Sequence, residues 1–155
     1  MAHPMTPLAQ RHDAGQAWLA DCSPRPDLVR AQWEREELAA IPSGGHWLVA
    51  ETTVAHGLPA LARIREDQRG PVLGDAIQDR AWWLMPLDAA EELADVRQVQ
   101  VRPAGWSLAC PPLGAYRESR FWLWHPDGSG HLTDPAVLAA AFGPGGYVRP
   151  TEARP

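Results

Sequence analysis

The chain has 155 residues, 45% of them hydrophobic and 21% charged, with a formal net charge of −5 and a pI near 5.6. This length suits one globular domain that needs no disulfide or structural metal, and the acidic balance argues against tight sequence-independent binding to nucleic acid, which requires a basic face. No apolar run approaches the ~18 residues of a membrane span, and the first thirteen residues lack a basic stretch leading into an apolar one, so a cytoplasmic protein with no membrane association is expected.

Residues 1–11 read as a flexible tail and 12–142 as one domain, with a second flexible tail over 143–155. A first helix is predicted over 13–20, ending at Ser23-Pro24-Arg25-Pro26, and a second over 27–40 with Leu28, Val29 and Trp33 on its apolar face. Residues 46–50, His-Trp-Leu-Val-Ala, form a continuous apolar run of strand length, suited to burial on both faces. The next helix should start near Leu58, because Pro59 is tolerated in a first turn, and should end at Gly70-Pro71. Strands follow over 71–75 and 81–84, and in the second of these Trp82 and Trp83 must point to opposite, covered faces. Asp88 is expected to cap a short helix to Ala94. A half-exposed strand over 98–102 comes next, then strands over 106–110 and 121–124. Thr133 or Asp134 should cap a last helix that Pro135 opens.

All fourteen basic residues are arginine, and neither Lys nor Asn occurs. That bias is the mark of a GC-rich, actinobacterial genome, so arginine here is a weak signal of phosphate recognition. Cys22 and Cys110 have no metal-ligand or redox spacing and are expected to be buried free thiols.

Histidine offers the first candidate chemistry. His125 and His131 with Asp127 and Asp134 have the composition of a two-histidine, one-carboxylate metal site, but Asp127-Gly128 is turn chemistry and Asp134 is what a helix start requires. The turn-and-cap reading is preferred. His46 and His56 flank the first core strand without a partner at zinc spacing. Ser43, Ser107 and Ser129 lack a strand-to-helix nucleophile elbow, and neither glycine cluster forms a phosphate-binding loop. The eight tryptophans could stack bases if exposed, but most lie in apolar runs and are expected in the core, with Trp106 and Trp18 left nearer the surface.

The succession Leu38-Ala-Ala-Ile-Pro-Ser-Gly-Gly-His-Trp-Leu-Val, Gly57-Leu-Pro-Ala-Leu, Gly70-Pro-Val-Leu, Arg80-Ala-Trp-Trp-Leu-Met-Pro and Pro126-Asp-Gly-Ser-Gly-His-Leu-Thr-Asp-Pro resembles small actinobacterial proteins related to the N-terminal domain of bifunctional DNA primase–polymerases. The resemblance spans residues 17 to 142. It implies an α/β (α+β) primase–polymerase-like domain, with helices packed on a mixed sheet. The activity of that family needs carboxylates on adjacent strands to hold two divalent metals: an Asp-x-Asp pair closing the first core strand, a neighbouring His and a later Asp. Here Trp47-Leu-Val-Ala-Glu51 supplies one carboxylate, and Trp stands where a polar nucleotide contact is expected. Glu51, Asp75 and Asp79 remain as weak candidates for a residual metal or nucleotide site, alongside His125 and His131.

The leading expectation is therefore a non-catalytic domain without cofactor that associates with a protein partner or with itself, through Trp106 and the outward positions Gln98, Gln100 and Arg102. An alternative is a small enzyme or nucleotide-binding protein with an aromatic pocket, with Glu51 and His46 or His56 as acid and base; only that reading calls for Mg²⁺ or Mn²⁺. A third is weak nucleic-acid binding through Arg97, Arg102, Arg117 and Arg120.

Overall fold

In order, the elements of the computed structural model, which describes residues 7–143, are α1 (Pro7–Asp21), α2 (Pro26–Glu34), β1 (Ala39–Pro42), β2 (Leu48–Thr52), α3 (Val54–Arg63), a 3₁₀ turn (Glu66–Gln68), β3 (Val72–Asp75), β4 (Arg80–Met85), α4 (Ala89–Leu93), β5 (Gln100–Val101), β6 (Ser107–Cys110), β7 (Arg120–Trp124) and α5 (Pro135–Phe142). The class is α+β, with helices packed on the sheet. The central segment runs β2-α3-β3-β4-α4-β5, and its strands lie in the order β5-β2-β4-β3, with β7 added outside β3. This is the split βαβ arrangement, in which the crossover from β2 to β3 leaves room for one strand between them. Because β4 fills that gap running against both neighbours, every pairing in the sheet is antiparallel. The mixed sheet implied by the resemblance is corrected accordingly. A separate ribbon joins β1 to β6, also antiparallel.

The sheet is covered on both faces. Val49, Leu73, Trp82, Leu84 and Trp122 face α1, α2 and the ribbon, where Leu19, Val29, Trp33, Ile41 and Leu108 complete one core. Ala50, Val72, Ala81, Trp83 and Met85 face the other way, against Leu61, Leu93, Leu138 and Phe142 of α3, α4 and α5. Trp82 and Trp83 thus go to opposite faces as expected, at 3% and 0% exposure. Their polar tips are satisfied too: Trp83 Nε1 donates to Thr52 Oγ1 at 3.1 Å and Trp82 Nε1 to Glu51 Oε1 at 2.9 Å, so burial of two indoles leaves no orphaned donor.

Several element boundaries differ from the sequence reading, among them the end of α3, which stops at Arg63 rather than at Gly70, with a separate 3₁₀ turn over Glu66–Gln68 between them. α1 begins at Pro7, so residues 7–11 are helical rather than tail; the remaining expected tails, 1–6 and 144–155, lie outside the described residues. α2 stops at Glu34, because Glu36 turns to a positive φ of 62° and Ala39–Pro42 then pairs with β6 instead of extending the helix. Helix α3 starts at Val54, since the Thr53 side chain accepts from the His56 amide at 3.0 Å, and Pro59 sits inside the helix. Finally, β5 is only two residues long. At the ends of α4 and α5 the caps separate: Asp88 makes no capping bond, whereas Asp134 accepts from Ala136 N at 2.8 Å. Thr133 is buried and instead accepts from Gly70 N at 2.8 Å.

Candidate functional site

The carboxylates that the sequence singles out lie on the α1/α2 face of the sheet, at the ends of β2 and β3. Alternation along β2 turns Glu51 to the same face as Val49, opposite Trp82 on β4 and Gln100 on β5. Arg102, just past β5, donates from Nη2 to Glu51 Oε2 at 2.9 Å and from Nε to Oε1 at 3.3 Å. Arg80 Nε approaches Oε2 at 3.4 Å, and the Trp82 indole takes Oε1. Two guanidiniums and one indole therefore engage a carboxylate only 13% exposed.

Asp75 is more deeply placed, at 0% exposure. It accepts from the amides of Ile77 and Gln78 at 3.1 and 3.0 Å, from Gln78 Nε2 at 2.9 Å and from Ser119 Oγ at 2.7 Å. Burial on its own would raise its pKa. The Gln78 amide, the Ser119 hydroxyl, the Arg120 charge and the Ile77 amide outweigh that and hold it below the ordinary carboxylate value. Arg120 lies over the Trp82 ring at 4.3 Å and donates to Ala109 O at 2.8 Å. The result is an alternating row of charges, with each acid already compensated by a neighbouring arginine.

Such a row does not fit two divalent ions, which need carboxylate oxygens turned toward a shared open position. Among the described residues no three His, Cys, Asp or Glu side chains are grouped to hold a metal. Asp79, with φ 55°, is a turn residue whose Oδ1 accepts from Ala55 N at 3.1 Å. His46 and His56 are exposed: His46 lies in the loop before β2 and His56 in the first turn of α3. The Glu51 acid–base pair of the alternative reading is not assembled, because Glu51 is engaged by Arg102 and Arg80. His125 and His131 also go separate ways. The amide of His131 donates to Ser129 Oγ at 3.1 Å, Asp127 accepts from that hydroxyl at 2.6 Å, and His125 stacks on His12.

Three of the four arginines of the nucleic-acid reading are paired within the fold: Arg102 with Glu51, Arg117 with Glu36 and Arg120 with Asp75. Trp33, Trp47, Trp82, Trp83 and Trp122 are at most 5% exposed, so they present no face for bases. The free thiols are buried, as expected, and burial drives the Cys110 pKa up, beyond any physiological thiolate range.

At the β5 edge, Gln98 and Gln100 face solvent. Arg102 turns inward to Glu51 and also covers the Trp106 ring at 5.6 Å, while Trp106 itself packs partly buried against the first core. Beside this edge lies a hollow of about 380 Å³ walled by Leu48, Leu87, Val101, Arg102, Pro103 and Ala104.

A second cavity, of about 350 Å³, opens where α1 meets the end of β7. Its walls include Arg11, His12, Trp124 and His125, with Glu66 and Asp127 at the sides. The His12 and His125 rings stack with centroids 4.6 Å apart at 24°. Burial lowers the His125 pKa, and the nearby His12 lowers it further. The sequence reading found His125 but missed His12 and Arg11, since residues where an expected tail meets the first helix carry no local signal. The contact exists because α1 lies closely against the β7–α5 loop. A methyl group on Gly15 would come within 2.0 Å of Pro126 O, and one on Gly128 within 2.7 Å of the Ala14 Cβ. No helix of the described residues is long and apolar enough to cross a membrane. Compared with protein-family models, curated proteins and solved structures, the chain matches none.

Proposed function

We propose that this chain is a non-catalytic, primase–polymerase-like domain that works by association, taking an extended apolar segment of a protein partner or of a second copy along the β5 side of its sheet. The observation that carries this is the engagement of Glu51 by Arg102, Arg80 and Trp82 at the strand end where nucleotidyl transfer would need unshielded carboxylates. The place of association is supported by β5 being an edge strand, by the hollow beside it, and by Leu87, an apolar side chain 51% exposed on its wall. An edge strand offers backbone donors and acceptors to an added strand, and the hollow offers a seat for that strand's side chains.

Size-exclusion chromatography with light scattering, together with affinity capture, tests the proposal. Self-association or capture of a partner that is lost in Leu87→Glu and Val101→Glu, yet kept in a remote variant such as Ile77→Glu, supports it. A strict monomer that captures nothing, or capture indifferent to these substitutions, overturns it. Mg²⁺ or Mn²⁺ with a nucleoside triphosphate should leave the melting temperature unchanged; a clear rise would favour the nucleotide-binding alternative.

A further inference from the structure

The sheet has a second edge, β7, and the hairpin that should cover it stops early. Glu118 and Ser119, with φ of 50° and 69°, make a two-residue turn of the primed kind that joins the segment before it to β7. Arg117 N donates to Arg120 O at 3.0 Å and Arg120 N to Arg117 O at 2.8 Å. Continued in the same register, that hairpin would set Ala115 opposite Trp122. It does not continue: Gly114 turns to a φ of 78°, and Ala115 N donates instead to Pro112 O at 3.2 Å. Both main-chain groups of Arg120 face away from β3, so the alternation along a strand turns the N–H and C=O of Trp122 away from β3 as well. Among the described residues these two groups have no partner, on a residue only 5% exposed. Backbone groups so placed are normally paired.

A hollow of about 260 Å³ lies beside this edge, lined by Gly114, Ala115, Tyr116, Phe121, Trp122 and His125. Tyr116 and Phe121 stack with ring centroids 5.6 Å apart at 20° and make an apolar side wall, on which Tyr116 is 57% exposed. No Asp, Glu or Arg stands on the lining, so a charged occupant finds no counter-charge there. The donor and acceptor of one residue on an antiparallel strand are matched by the donor and acceptor of one residue on its neighbour. A second β7 fits poorly, because it would bring its own 113–116 segment into the same gap. We infer that the gap beside Trp122 takes one extended, uncharged apolar segment of a partner polypeptide. The residue opposite Trp122 exchanges both hydrogen bonds with its main chain, and the next side chain, on the Phe121 face, packs on the Tyr116–Phe121 stack. This edge is the one opposite β5 in the sheet, and the inference stands whether or not β5 recruits a partner.

Calorimetry and the Trp122 amide resonance of the full chain test it, with two probes: the peptide acetyl-Thr-Val-Phe-Val-Thr-amide, and its copy N-methylated at the three central residues, which keeps the side chains and removes the donors. The first is expected to bind, to shift the Trp122 amide and to slow its hydrogen exchange; the methylated copy should be at least about tenfold weaker, the scale of one or two hydrogen bonds. Tyr116→Ser, at an exposed position, should weaken the peptide several-fold. Leu87→Glu, on the β5 side, should leave its binding unchanged, which separates failure here from failure of the β5 reading. Absence of heat and of any shift at millimolar peptide overturns the inference. So does equal binding of the methylated copy, or loss of binding in Leu87→Glu. A Trp122 amide that exchanges as slowly as that of Phe121 in the free chain also overturns it, since the 113–116 segment would then already close on β7.

Discussion

Asp75 and Ser119 join two turns that are forty-four residues apart, with the hydroxyl donating to a carboxylate oxygen at 2.7 Å. Because the same oxygen also accepts from the Ile77 and Gln78 amides, one buried acid fixes both the β3–β4 turn and the turn that leads into β7. Position 119 has a φ of 69°, an uncommon conformation for a non-glycine residue, which this bond helps to hold.

Replacing Asp75 with Ala should cost about 2–4 kcal/mol, because several donors lose their acceptor in a buried setting. Acid should reproduce part of this loss. The folded pKa lies below the ordinary 3.8, so the stabilisation is fully present above that value and is lost as pH falls through it toward the folded pKa. Urea midpoints measured between pH 6 and pH 3 should fall more steeply for the wild type than for Asp75→Asn.

Glu51 is expected to be structural, and double substitution should reveal it. Glu51→Leu leaves Arg102 and Arg80 without their counter-charge and should cost about 1–3 kcal/mol, whereas Glu51→Leu with Arg102→Leu should cost less than the two single changes added together. Chemical denaturation of the four-member cycle gives the coupling, and strict additivity would mean that the pair contributes nothing.

The histidine stack should make stability depend on pH near neutrality. His125 has its pKa held below 6.5, by burial first and then by His12. The unfolded chain therefore takes up a proton before the folded one, and the stabilisation is complete above about pH 6.5 and declines below it. Melting temperatures between pH 7.5 and 5.5 should fall further for the wild type than for His125→Gln.

Gly15→Ala should destabilise the protein, although in an isolated helix interior the same change would stabilise by about 0.5–1 kcal/mol. The added methyl would stand 2.0 Å from Pro126 O and 2.7 Å from its carbonyl carbon, backbone atoms that cannot turn aside, so a net loss of about 1–3 kcal/mol is expected in urea. A gain would show that α1 does not hold this close approach in solution.

What the sequence determined was local and periodic. The apolar runs at β2, β4 and β7, the opposed burial of Trp82 and Trp83, the Asp134 cap and the two buried thiols all follow from side-chain spacing and from the preferences of one turn. The tertiary structure alone decided which segments met. Residues 39 and 40 fit the end of a helix by their alanines and became part of a strand because β6 offered them a partner, and residues 7–11 became helix because α1 rests on the β7–α5 loop. Glu51 looked available in the sequence, since its partners Arg80 and Arg102 reach it only when β4 and β5 close on β2. His12 and His125, more than a hundred positions apart, stack on one another through a close packing of α1 on the β7–α5 loop that no local pattern encodes.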